Sequence, residues 1–247
     1  LNWGTGTPNL PNCNKNSAGG YNSDTNTIWT FGGKCGNGTN WPNIFSYNID
    51  TQNMSPHGYI SPFKNGGIEL WTTSYYTMNN IVYIYYDKQI HSFNMNTQEY
   101  KINITSNIPK FTQERGLIIV DANTLIIYDA SQGMYILESE LENITSNATW
   151  NGPYIPNVKH EHGCGVYSDT GYIYLFAGKQ TSTIERIDTN NLNDGFSYLN
   201  STFQRNIKWM RCLKVYDTET NHEIVYILGG HFNNETRSPL SHVYKYD

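Results

Sequence analysis

The run His160-Glu161-His162 sets two imidazoles two residues apart around a carboxylate. On an extended strand such residues share a face, which would suit a metal ligand pair or an acid–base site near a channel mouth. No third ligand stands at a helpful spacing, and hydrogen-bonded histidines at the start of a strand are the competing reading. Glu69, Glu114 and Glu161 form a second candidate set, since a pair of carboxylates is what glycoside hydrolysis requires, their separation deciding between inversion and retention. Their sequence offsets do not match, and their neighbours differ. No Gly-rich phosphate loop and no Ser-His-Asp elbow stands out. The four cysteines, Cys13, Cys35, Cys164 and Cys212, form no CxxC pair, which disfavours zinc. Three disulfide pairings are open to them, with buried free thiols as the alternative.

Seven Asn-x-Ser/Thr triplets begin at Asn37, Asn53, Asn103, Asn143, Asn147, Asn200 and Asn234. A chain so rich in Asn, Ser and Thr generates several by chance, so placement carries more weight than number. All seven fall in loops or at outer edges, where a glycan would leave a core undisturbed. Asn53 is the weakest acceptor because Pro56 follows its Ser. The expectation is a secreted, N-glycosylated protein, and Leu1 in place of Met leads us to expect a processed chain without its signal peptide.

Charge excludes several partners. The chain has 247 residues with 16 Lys and Arg against 21 Asp and Glu, a formal charge of −5, and no basic cluster. Nucleic acid and anionic membranes are therefore not expected as partners. No apolar run approaches the roughly 20 residues of a membrane span.

The elements that must position these residues repeat. Ile28-Trp-Thr-Phe-Gly-Gly33, Val82-Tyr-Ile-Tyr-Tyr-Asp87, Leu125-Ile-Ile-Tyr-Asp-Ala130, Ile173-Tyr-Leu-Phe-Ala-Gly178 and Val225-Tyr-Ile-Leu-Gly-Gly230 start 54, 43, 48 and 52 residues apart. The period, the 20 Tyr and 9 Phe, and the abundance of Asn predict small repeated sheets joined by turns. An Asp- or Asn-rich hairpin turn precedes each unit, and another strand precedes the turn. A third strand ends in Tyr47-Asn-Ile-Asp50, Phe93-Asn-Met-Asn96, Glu185-Arg-Ile-Asp188 or Tyr244-Lys-Tyr-Asp247, and the third repeat, Tyr135 to Glu140, lacks this ending. Outer strands are expected over 58–63, 99–104, 148–155 and 196–203. The second strand of each repeat should be buried on both faces, as in Ile28 to Phe31 and Val225 to Leu228.

These Gly-Gly units, the aromatic-x-Ile-Asp endings and the Trp of the outer strand resemble kelch-repeat β-propellers over nearly the whole chain. The resemblance is strong in the first, fourth and fifth repeats; in the others Tyr86-Asp87 and Asp129-Ala130 replace Gly-Gly. It implies an all-β, single-domain, five-bladed β-propeller over residues 1–247, of four-stranded antiparallel blades near 16–63, 67–104, 114–156, 160–203 and 208–247. Residues 1–8, with Trp3 matching Trp150, are expected to supply the outer strand of the last blade and close the ring. In such a ring Cys164 and Cys212 sit at like places on adjacent inner strands, which implies a Cys164–Cys212 disulfide, with Cys13–Cys35 as the other pair. Copper enzymes of the galactose-oxidase type use Tyr, His and a cross-linked Cys, a set that does not assemble here, so neither cofactor nor metal is expected. The resulting reading is an extracellular, non-catalytic structural or interaction module. Its partners would be further copies of itself in a matrix or filament, or extracellular proteins and glycans. Trp41, Tyr75, Tyr76 and Phe232 are candidate contact aromatics. The alternative is a carbohydrate-active enzyme or a glycan-binding, lectin-like module.

Overall fold

Runs such as Ile81–Tyr86 and Thr124–Asp129 are β-branched and aromatic and are flanked by Asn, Asp or Gly, so they extend as strands and reverse at turns. A computed structural model describes residues 18–32, 43–59, 77–78, 80–86, 89–104, 115–121, 124–130, 132–138, 149–217, 221–228, 230–232 and 243–246. The chain is all-β. The helical structure among the described residues is one short 3-10 turn, Leu192–Asp194. No helix among them is long and apolar enough to cross a membrane.

The strands form small antiparallel sheets in chain order. The first sheet contains β1 (Ala18–Asn22), β2 (Thr27–Phe31), β3 (Asn43–Asn48) and β4 (Met54–Tyr59). The second contains β5 (Thr77–Met78), β6 (Ile81–Tyr86), β7 (Gln89–Asn94) and β8 (Tyr100–Ile104). The third contains β9 (Arg115–Asp121), β10 (Thr124–Asp129), β11 (Gly133–Glu138) and β12 (Trp150–Tyr154). The fourth contains β13 (Cys164–Tyr167), β14 (Tyr172–Phe176), β15 (Thr183–Asp188) and β16 (Ser197–Thr202). The remaining strands are β17 (Ile207–Lys208), β18 (Arg211–Asp217), β19 (His222–Leu228), β20 (His231–Phe232) and β21 (Val243–Tyr246). Of these, β18, β19 and β21 make a three-stranded fifth sheet, and β17 pairs with β20. None of the described sheets closes into a barrel. Residues 1–8, expected beside β21, lie outside the described residues.

Two compact units divide the chain. One comprises Leu1–Gln113, Asp121–Thr124 and Glu138–Thr149; the other comprises Glu114–Val120, Leu125–Leu137 and Trp150–Asp247. In the first, Trp29, Phe31 and Ile44 of the first sheet bury against Val82, Ile84 and Phe93 of the second. In the other unit the fourth sheet is a shared wall. Its Ile173, Leu175 and Ile187 pack on Ile126 and Ile136 of the third sheet, while Val166, Phe176 and Ile184 pack on Val225 and Ile227 of the fifth. Alternate residues of one strand thus serve two cores, as the two-residue pleat requires.

Two sequence expectations change here. The first outer strand is Met54–Tyr59 rather than 58–63, because β3 turns back within five residues through Asn48, whose N–H bonds the Asn53 carbonyl at 2.9 Å. Burial of both faces fails at the two ends of the series: Ile28 is 42 % exposed and Leu228 38 %, whereas β10 is buried from Leu125 to Asp129. On β2 the inside–outside alternation of a strand covered on one face is kept.

The glycines closing β14 and β19 have one steric role. A Cβ on Gly178 would lie 2.8 Å from the Glu161 carbonyl oxygen, and one on Gly230 would lie 3.0 Å from that of Lys208. With φ of 154° and 99°, both let the segment entering a sheet cross close over the exit of its second strand. At the first site the crossing is held by the Lys179 N–H donating to the Glu161 carbonyl at 2.7 Å.

Candidate functional site

The His160-Glu161-His162 motif is not a strand. It forms a turn before β13, with His162 at φ 58°, so the two imidazoles do not share a face. This corrects the strand expectation. The physical reason is the crossing at Gly178, which needs the chain to bend where the motif lies.

His160 is buried. Its Nδ1 faces the Ala177 carbonyl at 2.8 Å, its Nε2 faces a Glu185 carboxylate oxygen at 2.9 Å, and its backbone N–H donates to the Tyr128 hydroxyl at 3.0 Å. Each ring nitrogen thus faces a protein oxygen. Glu185, from the Glu-Arg-Ile-Asp signature of β15, also accepts from the Asn157 backbone N–H at 3.0 Å, its side-chain amide at 2.6 Å and the Val158 N–H at 3.1 Å. Burial works against ionisation of this carboxyl, but the donors, His160 foremost and then Asn157, outweigh it and hold its pKa below the usual carboxylate value. A carboxylate saturated in this way fastens the segment from 157 to 160 onto the sheet.

Glu161 is also engaged. Lys179 Nζ sits 2.6 Å from its carboxylate, the Gln180 amide 3.4 Å and His162 Nε2 3.6 Å. Burial, above all, pushes the pKa of His162 down. Glu69 and Glu114, the possible carboxylate partners, lie outside the described residues. Among the described residues no group of three His, Cys, Asp or Glu is arranged to hold a metal ion.

The Cys164–Cys212 disulfide is present, with Cα atoms 5.6 Å apart, and joins β13 to β18. The two cysteines are not register equivalents. Cys164 lies opposite Phe176, the fourth residue of its repeat unit, and Cys212 opposite Ile227, the third of its own. The offset has a cause: successive sheets meet through opposite faces, so two residues that meet between them must differ in pleat parity. Cys13 and Cys35 lie outside the described residues.

A charged cluster ties the same two sheets at their turns. The Ser168 hydroxyl donates to Glu223, the Asp169 N–H donates to Glu223 Oε1 at 2.8 Å, and Lys214 Nζ lies 2.6 Å from Asp169 and 3.0 Å from Glu223. Partial burial opposes the Glu223 charge, yet the Ser168, Asp169 and Lys214 donors pull its pKa down to about 2. Lys214 is raised by the same acids against its own burial.

Near the motif a second group assembles that local sequence does not reveal. Trp209, at φ 60° and 44 % exposed, donates its backbone N–H to the His162 carbonyl at 2.8 Å. Its ring lies 5.5 Å from His162 and 5.3 Å from His231, with Lys208 Nζ 4.6 Å from its centroid. Phe232, expected as an exposed contact aromatic, is half-buried in β20 against the core between the fourth and fifth sheets, beneath Arg205 at 5.1 Å. The pairing of Ile207 with Phe232 turns it inward. Trp41, Tyr75 and Tyr76 lie outside the described residues.

Asn53 and Asn200 are exposed. Asn103 lies on β8, its side chain outside the description, and Asn37, Asn143, Asn147 and Asn234 lie outside the described residues.

Fold and site together define an all-β chain of repeated antiparallel sheets bound by a disulfide, a buried His160–Glu185 hydrogen bond and partly buried ion pairs. No family model matches the sequence, and no curated protein matches it. Solved structures do match in fold. One of them, titled "Structure of YjhT", is 11 % identical with a TM-score of 0.63, over 92 % of this chain and 80 % of that one. The likeness is one of fold.

Proposed function

We propose that the chain is an extracellular, N-glycosylated, non-catalytic structural or recognition module of the kelch-propeller kind. Its five sheets would be blades, and residues 1–8 would add the fourth strand beside β21. The observation that carries the reading is the use made of the motif best suited to chemistry: His160 and Glu161 hold backbone crossings in place through Glu185, Ala177 and Lys179. The recurrent strand order supports the architecture, and the disulfide together with exposed Asn53 and Asn200 supports an oxidising, glycosylating compartment. The partners in this reading would be further copies of the chain in a matrix or filament, or extracellular proteins and glycans.

Native mass spectrometry of secreted material, before and after enzymatic deglycosylation, tests this. The expected result is a mass loss on deglycosylation together with assemblies of several copies. An unglycosylated monomer, or hydrolysis of aryl glycosides that Glu161→Gln abolishes, would overturn it.

A further inference from the structure

The two Asn-x-Ser/Thr acceptors whose side chains are described, Asn53 and Asn200, are both exposed but differ in setting. Asn53 lies in the tight turn between β3 and β4. Its carbonyl accepts the Asn48 N–H at 2.9 Å, and Pro56 follows its hydroxyl residue Ser55. Asn200 stands within β16, the last strand in the order of the fourth sheet, and is followed by the exposed Ser201 and Thr202.

A bulge loosens β16 at this point. Tyr198 lies opposite Glu185 and Thr202 opposite Thr183, so three residues of β16 stand where β15 has one. Such a bulge takes residues out of the ladder and re-aims side chains. Leu199 packs against the core between the fourth and fifth sheets, while its neighbours Tyr198 and Asn200 are exposed. Tyr198 and Asn200 therefore project away from Leu199, their Cα atoms about 6–7 Å apart by the rise of a strand. Tyr198 is 54 % exposed, which leaves a large aromatic face open to solvent beside the acceptor amide. The first N-acetylglucosamine of an N-linked glycan has a flat C–H face of similar breadth, and the face of a phenol ring complements it. Among the described residues no strand pairs beyond β16, and a bulky group on such an edge blocks the approach of a further strand.

We propose that Asn200 is a glycosylated residue, that the first sugar of its glycan lies against Tyr198, and that the glycan covers the edge of β16. In the transfer, Asn200 Nδ2 bonds to C1 of the sugar, the C1–O bond to a lipid-linked diphosphate donor breaks, and one amide proton leaves with the diphosphate. The inference rests on the reading of the chain as a secreted glycoprotein and gives that reading a position, a sugar contact and a structural consequence.

The test uses the full chain secreted from eukaryotic cells, unaltered and as Asn200→Gln, Tyr198→Ala and Tyr198→Phe. Peptide mapping after enzymatic deglycosylation in heavy-oxygen water should mark Asn200 in most copies. With glycans trimmed to the first sugar, the N-acetyl methyl resonance that Asn200→Gln lacks should be shifted upfield by the Tyr198 ring current. Tyr198→Phe should keep that shift and Tyr198→Ala should abolish it. Asn200→Gln should lower the melting temperature by about 2–4 °C, whereas trimming to the first sugar should not. Asn200 unmarked while other acceptors carry sugar overturns the site and leaves the glycoprotein reading standing; sugar absent from every acceptor defeats both. An occupied Asn200 whose resonance is the same in Tyr198→Ala overturns the contact.

Discussion

The two compact units hold their sheets together by different chemistry. In the first, the turn after β1 meets the second sheet through neutral amides around one acid: Asn22 donates to Asn96 at 2.6 Å, while Asn80 and Asn96 donate to Asp24 at 2.6 and 2.9 Å. Below them Trp29 stacks on His57 and packs against Phe93, and Ser46 bonds the same imidazole at 2.6 Å. In the second, the corresponding turn after β13 meets the fifth sheet through Glu223 and Lys214, backed by a disulfide and by the buried His160–Glu185 pair. One architectural task therefore has an amide solution and an ionic, covalent one. They should respond differently to acid, to reductant and to loss of one partner.

The largest separation should come from Glu185→Ala. It removes the acceptor of His160 Nε2, of the Asn157 and Val158 backbone N–H groups and one of the two acceptors of the Asn157 amide, an expected loss of roughly 3–5 kcal/mol. Hydrogen exchange should show opening confined to the second unit; equal opening of both would break the contrast. Next, reduction of Cys164–Cys212, or Cys212→Ser, should cost roughly 2–4 kcal/mol for a 48-residue separation. The first sheet pair should keep its protection in reductant.

A smaller effect concerns pH. With its folded pKa lowered to about 2 from an ordinary 4.5, Glu223 contributes stability that is complete above the ordinary value and is lost as pH falls toward 2. Lys214, raised from 10.5, contributes below that value and loses its contribution above it. Between about pH 5 and 10 these groups should leave stability flat. In acid the second unit should lose about 1–2 kcal/mol, allowing for solvent screening. Glu223→Gln should flatten the acid limb of melting temperature against pH, and an unchanged limb would remove the cluster from the account.

The smallest effect is expected in the amide network. Asn80→Gly keeps the backbone at φ 60° and removes two hydrogen bonds, for a loss of about 1 kcal/mol that does not vary between pH 5 and 8. A loss that varied over that range would break the contrast with the second unit.

Much of this was readable from local sequence. The aromatic and β-branched runs, the Asn and Asp turns and the period near 50 depend on neighbours a few residues apart, and they place the strands and their antiparallel order. The Cys164–Cys212 bond was also within reach. Its offset by one register position was not, because only packed sheets reveal which face of each meets the other. The role of Glu185 was hidden inside a strand-ending signature, 25 residues from His160. Phe232 and Trp209 exchanged places, the expected exposed ring lying inward and an unremarked one outward, since the pairing of β17 with β20 decides both.

The amino-acid sequence alone determined an all-β chain of repeated strands and turns, for these follow from side-chain shape and backbone torsion over a few bonds. Tertiary structure decided which titratable groups became struts, which sulfurs met and which indole faced water. Those outcomes depend on pleat parity between sheets and on segments crossing at glycines, relations between residues far apart in the chain.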